Sequence, residues 1–222
     1  MVEAAGPGVT GYYPVYLDLA GKSCLVLGGG AAALDKARGL LAAGADVTVI
    51  GQVFVPEMLE LGGAHAVRLL RRDFSEGDLD GVGLVIDASL DEALGRRVSE
   101  AARRRRILVN VLDRPGLCDF IAPAVVRRGP LQVAVSTAGR SPFMASHVRR
   151  LLEGTLGQEY GELVEIVGQL RDRLRTEGVP LAEQAAIYER IPGSPALQLL
   201  REGDVDGARR AVEACARALR RA

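Results

Sequence analysis

The sequence predicts an α/β protein, in which a parallel sheet wound with helices precedes a small α+β segment and a helical C-terminal part. Three observations predict this fold class. Short apolar runs alternate with helix-length stretches up to Leu112, which is typical of βαβ units. The turn signal Asp-Arg-Pro-Gly at residues 113–116 ends this alternation, and two β-like runs follow it. From residue 151 onward, apolar residues recur every three or four positions, as in amphipathic helices.

The first βαβ unit contains a glycine-rich turn. An apolar strand leads into three glycines, and Gly28, Gly30 and Ala33 occupy the three small positions of the G-x-G-x-x-G/A dinucleotide fingerprint. The first position permits a tight turn, the second lets the backbone approach a pyrophosphate, and the third lets the helix pack closely on the strand. A helix to about Ala43 and a second strand follow, so the context favours a nucleotide site over a purely structural glycine turn.

The other elements of the first domain, residues 1–112, follow the same alternation. Residues 1–11 are expected to form a loose leader, and Tyr12–Leu19 to pair as an edge strand or to lie across the sheet. Right-handed crossovers should connect the strands. We predict strands at 22–27, 46–50, 65–70, 83–87 and 107–111, and helices near 31–43, 54–61 and 91–105.

The central segment, residues 113–150, contains two predicted strands, Phe120–Val126 and Leu131–Ser136, and a helix that begins near Ser141. Two strands and a helix make a poor independent core. We therefore expect a second copy of the chain to complete this sheet, which predicts a homodimer. Residues 151–222 are expected to form a helical C-terminal domain.

Composition excludes several classes of protein. A formal net charge of zero, without aromatic residues among the arginines, argues against a nucleic-acid or membrane-surface partner. No apolar run has the length of a membrane span and no signal-peptide pattern opens the chain, so a cytoplasmic location is expected. Three scattered cysteines and two histidines lack metal-ligand spacing, so no resident metal site is expected.

Several segments, taken together and in this order, make the sequence similar to the precorrin-2 dehydrogenase / sirohydrochlorin ferrochelatase family, which includes the N-terminal region of siroheme synthases. The resemblance covers roughly residues 12–175. It implies a Rossmann domain, a central dimerisation domain and a helical domain, with substrate in the cleft between them. It also implies NAD-dependent dehydrogenation of precorrin-2 to sirohydrochlorin. The residues that carry the resemblance are Tyr13–Leu19, Val26–Gly30, Ile107–Asp113, Cys118–Ala124 and Arg128–Pro142.

Asp113 is the candidate catalytic residue. It follows the fifth predicted strand, at the carboxyl edge where ligands of parallel sheets collect. A carboxylate there could act as a base, and the resemblance implies this role; the alternative is an Asp side chain that caps the turn before Pro115.

Other candidates are expected to bind cofactor or substrate. Precorrin-2 carries many carboxylates, which guanidinium groups bind bidentately. The candidates for NAD binding are Gly28, Gly30, Ala31, Ala32, Gln52, Val53 and Ser89, and those for substrate binding are Asn110, Arg114, Ser136, Thr137 and Arg140. Asn110 could instead fix the loop, and the two hydroxyl residues could be plain turn residues.

Three positions, Asp35, Asp87 and Leu90, depart from the family pattern and bear on cofactor affinity. Asp87 places a charge in a strand that should be buried. No carboxylate ends the second strand, where an acidic residue would normally accept hydrogen bonds from the ribose hydroxyls of NAD. Gln52 could make a weaker hydrogen bond to the ribose in its place. The absence of a basic residue there favours NAD over NADP.

Two alternatives to the plain dehydrogenase remain open. Some members of the family also insert ferrous iron into sirohydrochlorin, and Asp113 with His147 would be the candidates for that step. The second alternative is a non-catalytic regulator that binds NAD or a tetrapyrrole. The departures from the family pattern at Asp35, Asp87 and Leu90 motivate it.

Overall fold

The chain divides into two compact units, residues 1–122 and 123–222. The structure is a computed structural model and describes residues 11–219, with side chains to residue 217. All but the last residue of the expected leader lies outside the described residues. The predicted division into three domains, at residues 112 and 150, stays a prediction.

The first unit is built on a five-stranded parallel sheet with the order β3-β2-β1-β4-β5. This confirms the predicted α/β class. The strand order reverses beside β1, and ligands of such sheets bind at the carboxyl edge of this switch point. The strands are β1 Ser23–Leu27, β2 Asp46–Ile50, β3 Arg68–Leu70, β4 Leu84–Asp87 and β5 Leu108–Val111, and the helices are α1 Ala31–Leu41, α2 Pro56–Gly63 and α3 Glu92–Arg104.

The central strand β1 is buried on both faces, which explains its uninterrupted apolar sequence. Cys24 and Val26 belong to the core that α1 and α2 cover. Leu25 and Leu27 belong to the core on the other face, which α3 covers. Helices on both faces therefore fix β1, and with it the glycine-rich turn that follows.

Three predicted strands differ from the structure. The strand expected at Phe120–Val126 instead spans Ala124–Arg128. The strand expected at 65–70 begins only at Arg68, because His65 adopts a left-handed backbone (φ 55°) in the turn that ends α2. Residues 12–19 form no strand, and Tyr13 is 87% exposed there. The sheet therefore has β3 and β5 as its two edges.

The second unit joins an antiparallel strand pair to helices. Arg128 ends the first strand of this pair. It donates hydrogen bonds from Nε to the Leu156 carbonyl (2.6 Å) and from Nη2 to the Glu153 carbonyl (2.9 Å), which ties the strand pair to the end of the helix that follows it. Its elements are β6 Ala124–Arg128, β7 Leu131–Val135, α4 Pro142–Thr155, α5 Glu159–Thr176, α6 Leu181–Arg190, α7 Ala196–Arg201 and α8 Val205–Leu219.

The C-terminal helices α5 to α8 enclose an apolar core of their own, as the recurring apolar residues predicted. Leu174, Ile187 and Val212 are almost fully buried in it. None of the helices within residues 11–219 combines the length and apolar content that crossing a bilayer requires.

Candidate functional site

The glycine-rich turn after β1 is wedged between two neighbouring loops. Gly28 has φ +106°, and a Cβ there would lie 2.8 Å from the Ala88 carbonyl oxygen, beyond β4. A Cβ on Gly29 would overlap the Val53 carbonyl oxygen, beyond β2. Only glycine permits both approaches.

Gly30, by contrast, faces open space, since a Cβ there would meet nothing within 4 Å. It is also the N-cap of α1, and no side chain of the described residues caps this helix. The first-turn N–H groups, including those of Ala31 and Ala32, thus lack a side-chain acceptor and present the positive end of the helix dipole. Open space beside free donors fits the pyrophosphate of a dinucleotide.

The end of β2 carries Gln52 and Val53, and Val53 is 78% exposed. Gln52 Nε2 donates a hydrogen bond to Asp73 Oδ1 over 2.7 Å. Asp73 was missed from the sequence because only the residues after β2 were considered. Its position three residues after β3, the strand paired with β2, is the signal that could have found it.

β4 ends at Asp87, the charged residue that the sequence placed in a buried strand. Its side chain is indeed buried (1% exposed). Its Oδ1 accepts a hydrogen bond from the Ser89 amide (2.9 Å), while Oδ2 has no partner among the described residues. Burial raises the pKa of the Asp87 carboxyl, and hydrogen bonds from Ser89 oppose the rise. Leu90 follows in a left-handed conformation (φ 65°), and Asp91 caps α3 by accepting from two of its first amides.

The end of β5 carries Asn110 and Asp113, which have different environments. Asn110 is buried (8% exposed), and its Nδ2 donates to the Phe120 carbonyl over 2.9 Å, so this amide fixes the loop. Asp113 is exposed and has φ +58°. Its carboxylate makes no hydrogen bond or ion pair with any residue in the described part of the chain, so the turn-capping alternative is not observed.

The loop that carries Asp113 is held from inside by Cys118. The Val111 amide donates to its sulfur (3.2 Å), and the thiol contacts the carbonyls of Val111 (3.2 Å) and Arg114 (3.3 Å). Burial raises the pKa of this thiol. The Arg114 guanidinium forms an ion pair with Glu92 (2.9 Å), so it is partly engaged within the protein.

The other substrate candidates, Ser136, Thr137 and Arg140, belong to the second unit. Thr137 Oγ1 donates to the Ser141 carbonyl and accepts from its amide, both at 3.0 Å. Ser136 Oγ accepts from the Ala138 amide (3.0 Å). These hydroxyls shape the turn before α4, whereas the exposed Arg140 guanidinium has no side-chain partner within residues 11–219. That these residues share a site with Asp113 stays a prediction.

No group of three or more His, Cys, Asp or Glu side chains within residues 11–219 is arranged to hold a metal ion.

Two family models match the chain. One, described as "Putative NAD(P)-binding", matches residues 15–124, and the other, described as "Sirohaem biosynthesis protein central", matches residues 128–155. The first covers the parallel sheet with its glycine-rich turn. The second covers β7 and α4.

Among curated proteins, the siroheme synthase of Thioalkalivibrio sulfidiphilus is 39% identical over 202 residues, which are 91% of this chain and 41% of the relative. The siroheme synthase of Escherichia coli K12 is 39% identical over 180 residues, or 81% of this chain and 39% of the relative. The chain thus spans about two fifths of the length of these relatives.

Among solved structures, "SirC, precorrin-2 dehydrogenase" superimposes with a TM-score of 0.71 at 25% sequence identity, covering 91% of this chain and 99% of SirC. The similarity includes both units and nearly all of SirC. These matches confirm the resemblance predicted from the sequence. The chain therefore resembles the precorrin-2 dehydrogenase SirC over nearly the whole length of SirC, and the siroheme synthases over about two fifths of theirs.

Proposed function

We propose that this chain binds NAD+ and uses it to oxidise precorrin-2 to sirohydrochlorin. The observation that carries the proposal is the open space over Gly30, beside the uncapped N-terminus of α1 at the switch point of the sheet. Similarity to SirC over almost its whole length supports the reaction.

In this proposal the first-turn amides of α1 donate hydrogen bonds to the pyrophosphate, and Gly30 keeps the approach open. NAD+, when bound, supplies the acceptor for the hydride that the substrate loses. Oxidation also releases a proton, and the carboxylate of Asp113, which has no partner in the described part of the chain, is available to accept it. Arg140, whose guanidinium is unengaged within residues 11–219, is a candidate to bind a substrate carboxylate.

We infer a preference for NAD over NADP from the residues after β2. Gln52 and Val53 are uncharged, so neither residue offers a cation to a 2′-phosphate.

We also infer that the chain acts in the cytoplasm as a homodimer. Within the described residues, β6 and β7 form a sheet of only two strands, and such a sheet is marginal by itself. A second copy could extend it. Light scattering coupled to size-exclusion chromatography should give twice the mass of the chain, and a monomer at micromolar concentration would contradict the inference.

NADH formation from freshly generated precorrin-2 and NAD+, without metal, tests the function. The wild-type protein should turn over, and Asp113→Asn should lose about a hundredfold in rate because the proton acceptor is gone. Asp46→Asn, at the opposite edge of the sheet, removes the same charge and should keep the wild-type rate. Full activity of Asp113→Asn would contradict the catalytic role.

The same assay separates the two alternatives. Addition of ferrous iron to the sirohydrochlorin formed should give metal uptake above the uncatalysed rate only if the chain is also a chelatase. Ligand binding without NADH formation would overturn the dehydrogenase and favour the regulator.

A further inference from the structure

The end of β2 lacks the acidic residue that dinucleotide-binding sheets commonly use. A carboxylate in that place accepts hydrogen bonds from the ribose hydroxyls of NAD. Here no Asp or Glu occurs between Asp46, which begins β2, and Glu57, which lies in α2. The hydrogen-bond acceptor for the ribose hydroxyls of a bound dinucleotide would therefore have to come from another segment.

The neighbouring strand brings a carboxylate to this place. Because β2 and β3 are parallel, with Ile50 opposite Leu70, their carboxyl ends lie at the same edge of the sheet. The Gly51 amide donates to the Leu70 carbonyl (3.2 Å), which continues the pairing into the turn. Asp73 follows and accepts the hydrogen bond from Gln52 Nε2 (2.7 Å) through Oδ1.

Asp73 keeps acceptor capacity for a ligand. Gln52 uses one of its two carboxylate oxygens, and Asp73 makes no ion pair with any cation of the described residues. The pair also lies beside the candidate pyrophosphate site. The Val55 amide donates to the Gly29 carbonyl (2.9 Å), and Gly29 packs against Val53, so the turn after β2 is tied to the glycine-rich turn.

Each of the two arginines next to Asp73 in the sequence contacts another residue of the protein. Arg72 donates to both carboxylate oxygens of Asp78, at 2.8 and 2.5 Å, and also to the backbone carbonyl of Asp73 over 3.0 Å. The Arg71 guanidinium lies over the Phe54 ring, 5.9 Å from its centre. Asp73 is therefore the charge that directly contacts Gln52 at this edge.

We propose that Asp73, oriented by Gln52, accepts the hydrogen bonds of the adenosine ribose and discriminates against a 2′-phosphate. The carboxylate that follows β3 replaces the one that is missing after β2. This inference rests on the proposed binding of a dinucleotide. It makes Asp73 a specificity-determining residue, because a 2′-phosphate would both remove a hydroxyl donor and bring negative charge against a carboxylate.

Calorimetric titration of the purified chain with NADH and with NADPH tests this assignment without turnover. Wild type should bind NADH more tightly than NADPH. Asp73→Asn should weaken NADH binding about ten- to a hundredfold, the range for a lost hydrogen bond to a charged group, while NADPH binding should be unchanged or tighter. Asp46→Asn makes the same charge change at the other end of β2 and should behave as wild type.

Asp73→Glu provides a second variant, which keeps the charge and should keep the discrimination against NADPH even where NADH binding weakens. An NADH-to-NADPH affinity ratio in Asp73→Asn equal to that of wild type would overturn the assignment while leaving dinucleotide binding intact. A wild-type protein that binds neither dinucleotide would instead overturn the proposed function, and the assignment with it.

Discussion

Removing the ionisable group at position 87 should change how stability depends on pH. The Asp87 carboxyl is 1% exposed, and its Oδ2 has no partner among the described residues. Burial raises its pKa in the folded protein, whereas the unfolded chain keeps a value near about 3.9. Between those two values the folded state holds a proton that the unfolded state releases.

The sign and slope follow from proton linkage. Below about pH 4 the carboxyl is neutral in both states and carries no penalty. As pH rises toward the folded-state pKa, Asp87 should reduce the free energy of unfolding by about 1.4 kcal/mol per pH unit, and the penalty should then stay constant. Asp87→Asn cannot ionise but still offers an oxygen to the Ser89 amide.

Urea unfolding of wild type and Asp87→Asn, followed by circular dichroism from pH 4 to 8, measures this effect. The stability of the variant relative to wild type should increase with pH through that window. Other carboxylates, such as Asp78, whose pKa the Arg72 hydrogen bond lowers, contribute equally to both proteins and cancel in the difference. Parallel curves for the two proteins would refute the argument.

Three further predictions concern packing and the glycine-rich turn. Gly29→Ala should destabilise the first unit by about 3 kcal/mol in thermal unfolding, because its Cβ would overlap the Val53 carbonyl oxygen. Gly30→Ala should change the stability of this unit by less than about 1 kcal/mol, because a Cβ there meets no atom within 4 Å. It should nevertheless weaken NAD+ binding, which calorimetry measures. Arg128→Met should cost the second unit about 1–3 kcal/mol in urea unfolding through its lost bonds to the α4 terminus. Ile187→Ala, in the helical core, should cost about 2–5 kcal/mol by the same measurement. Stable Gly29→Ala protein or unchanged NAD+ affinity in Gly30→Ala would contradict the first pair, and unchanged denaturation midpoints the other two.

The sequence predicted the sheet well because its signal is local. The apolar run of β1 and the glycines after it lie in one short segment, and burial on both faces gives such a strand no alternation to misread. It overestimated β3, because the turn that ends α2 with a left-handed His65 consumes residues that looked apolar enough for a strand. Boundaries of this kind depend on backbone conformations that composition does not encode.

The candidate site could be predicted only in part. Asp87 was recognised as a misfit, since a charged residue in a buried strand is visible in the sequence itself. The alternatives for Asn110 and Asp113 could not be separated, because each depends on whether a polar side chain finds a partner in the fold. The Gln52–Asp73 pair depends on strand order and register, which place residues from different strands at one edge.

At the carboxyl edge of the sheet, the turns after β1, β4 and β5 contact one another through their backbones. The Gly28 turn approaches the Ala88 carbonyl, and the Leu112 amide donates to the Asp87 carbonyl over 2.9 Å. The Gly51 amide likewise donates to the Leu70 carbonyl beside Asp73. Since these backbone contacts do not depend on the neighbouring side chains, Asp73 or Leu90 can change without altering the turns that position them. The departure at Leu90 should therefore alter ligand affinity, and a variant at Asp73 should lose its preference among dinucleotides while retaining the fold.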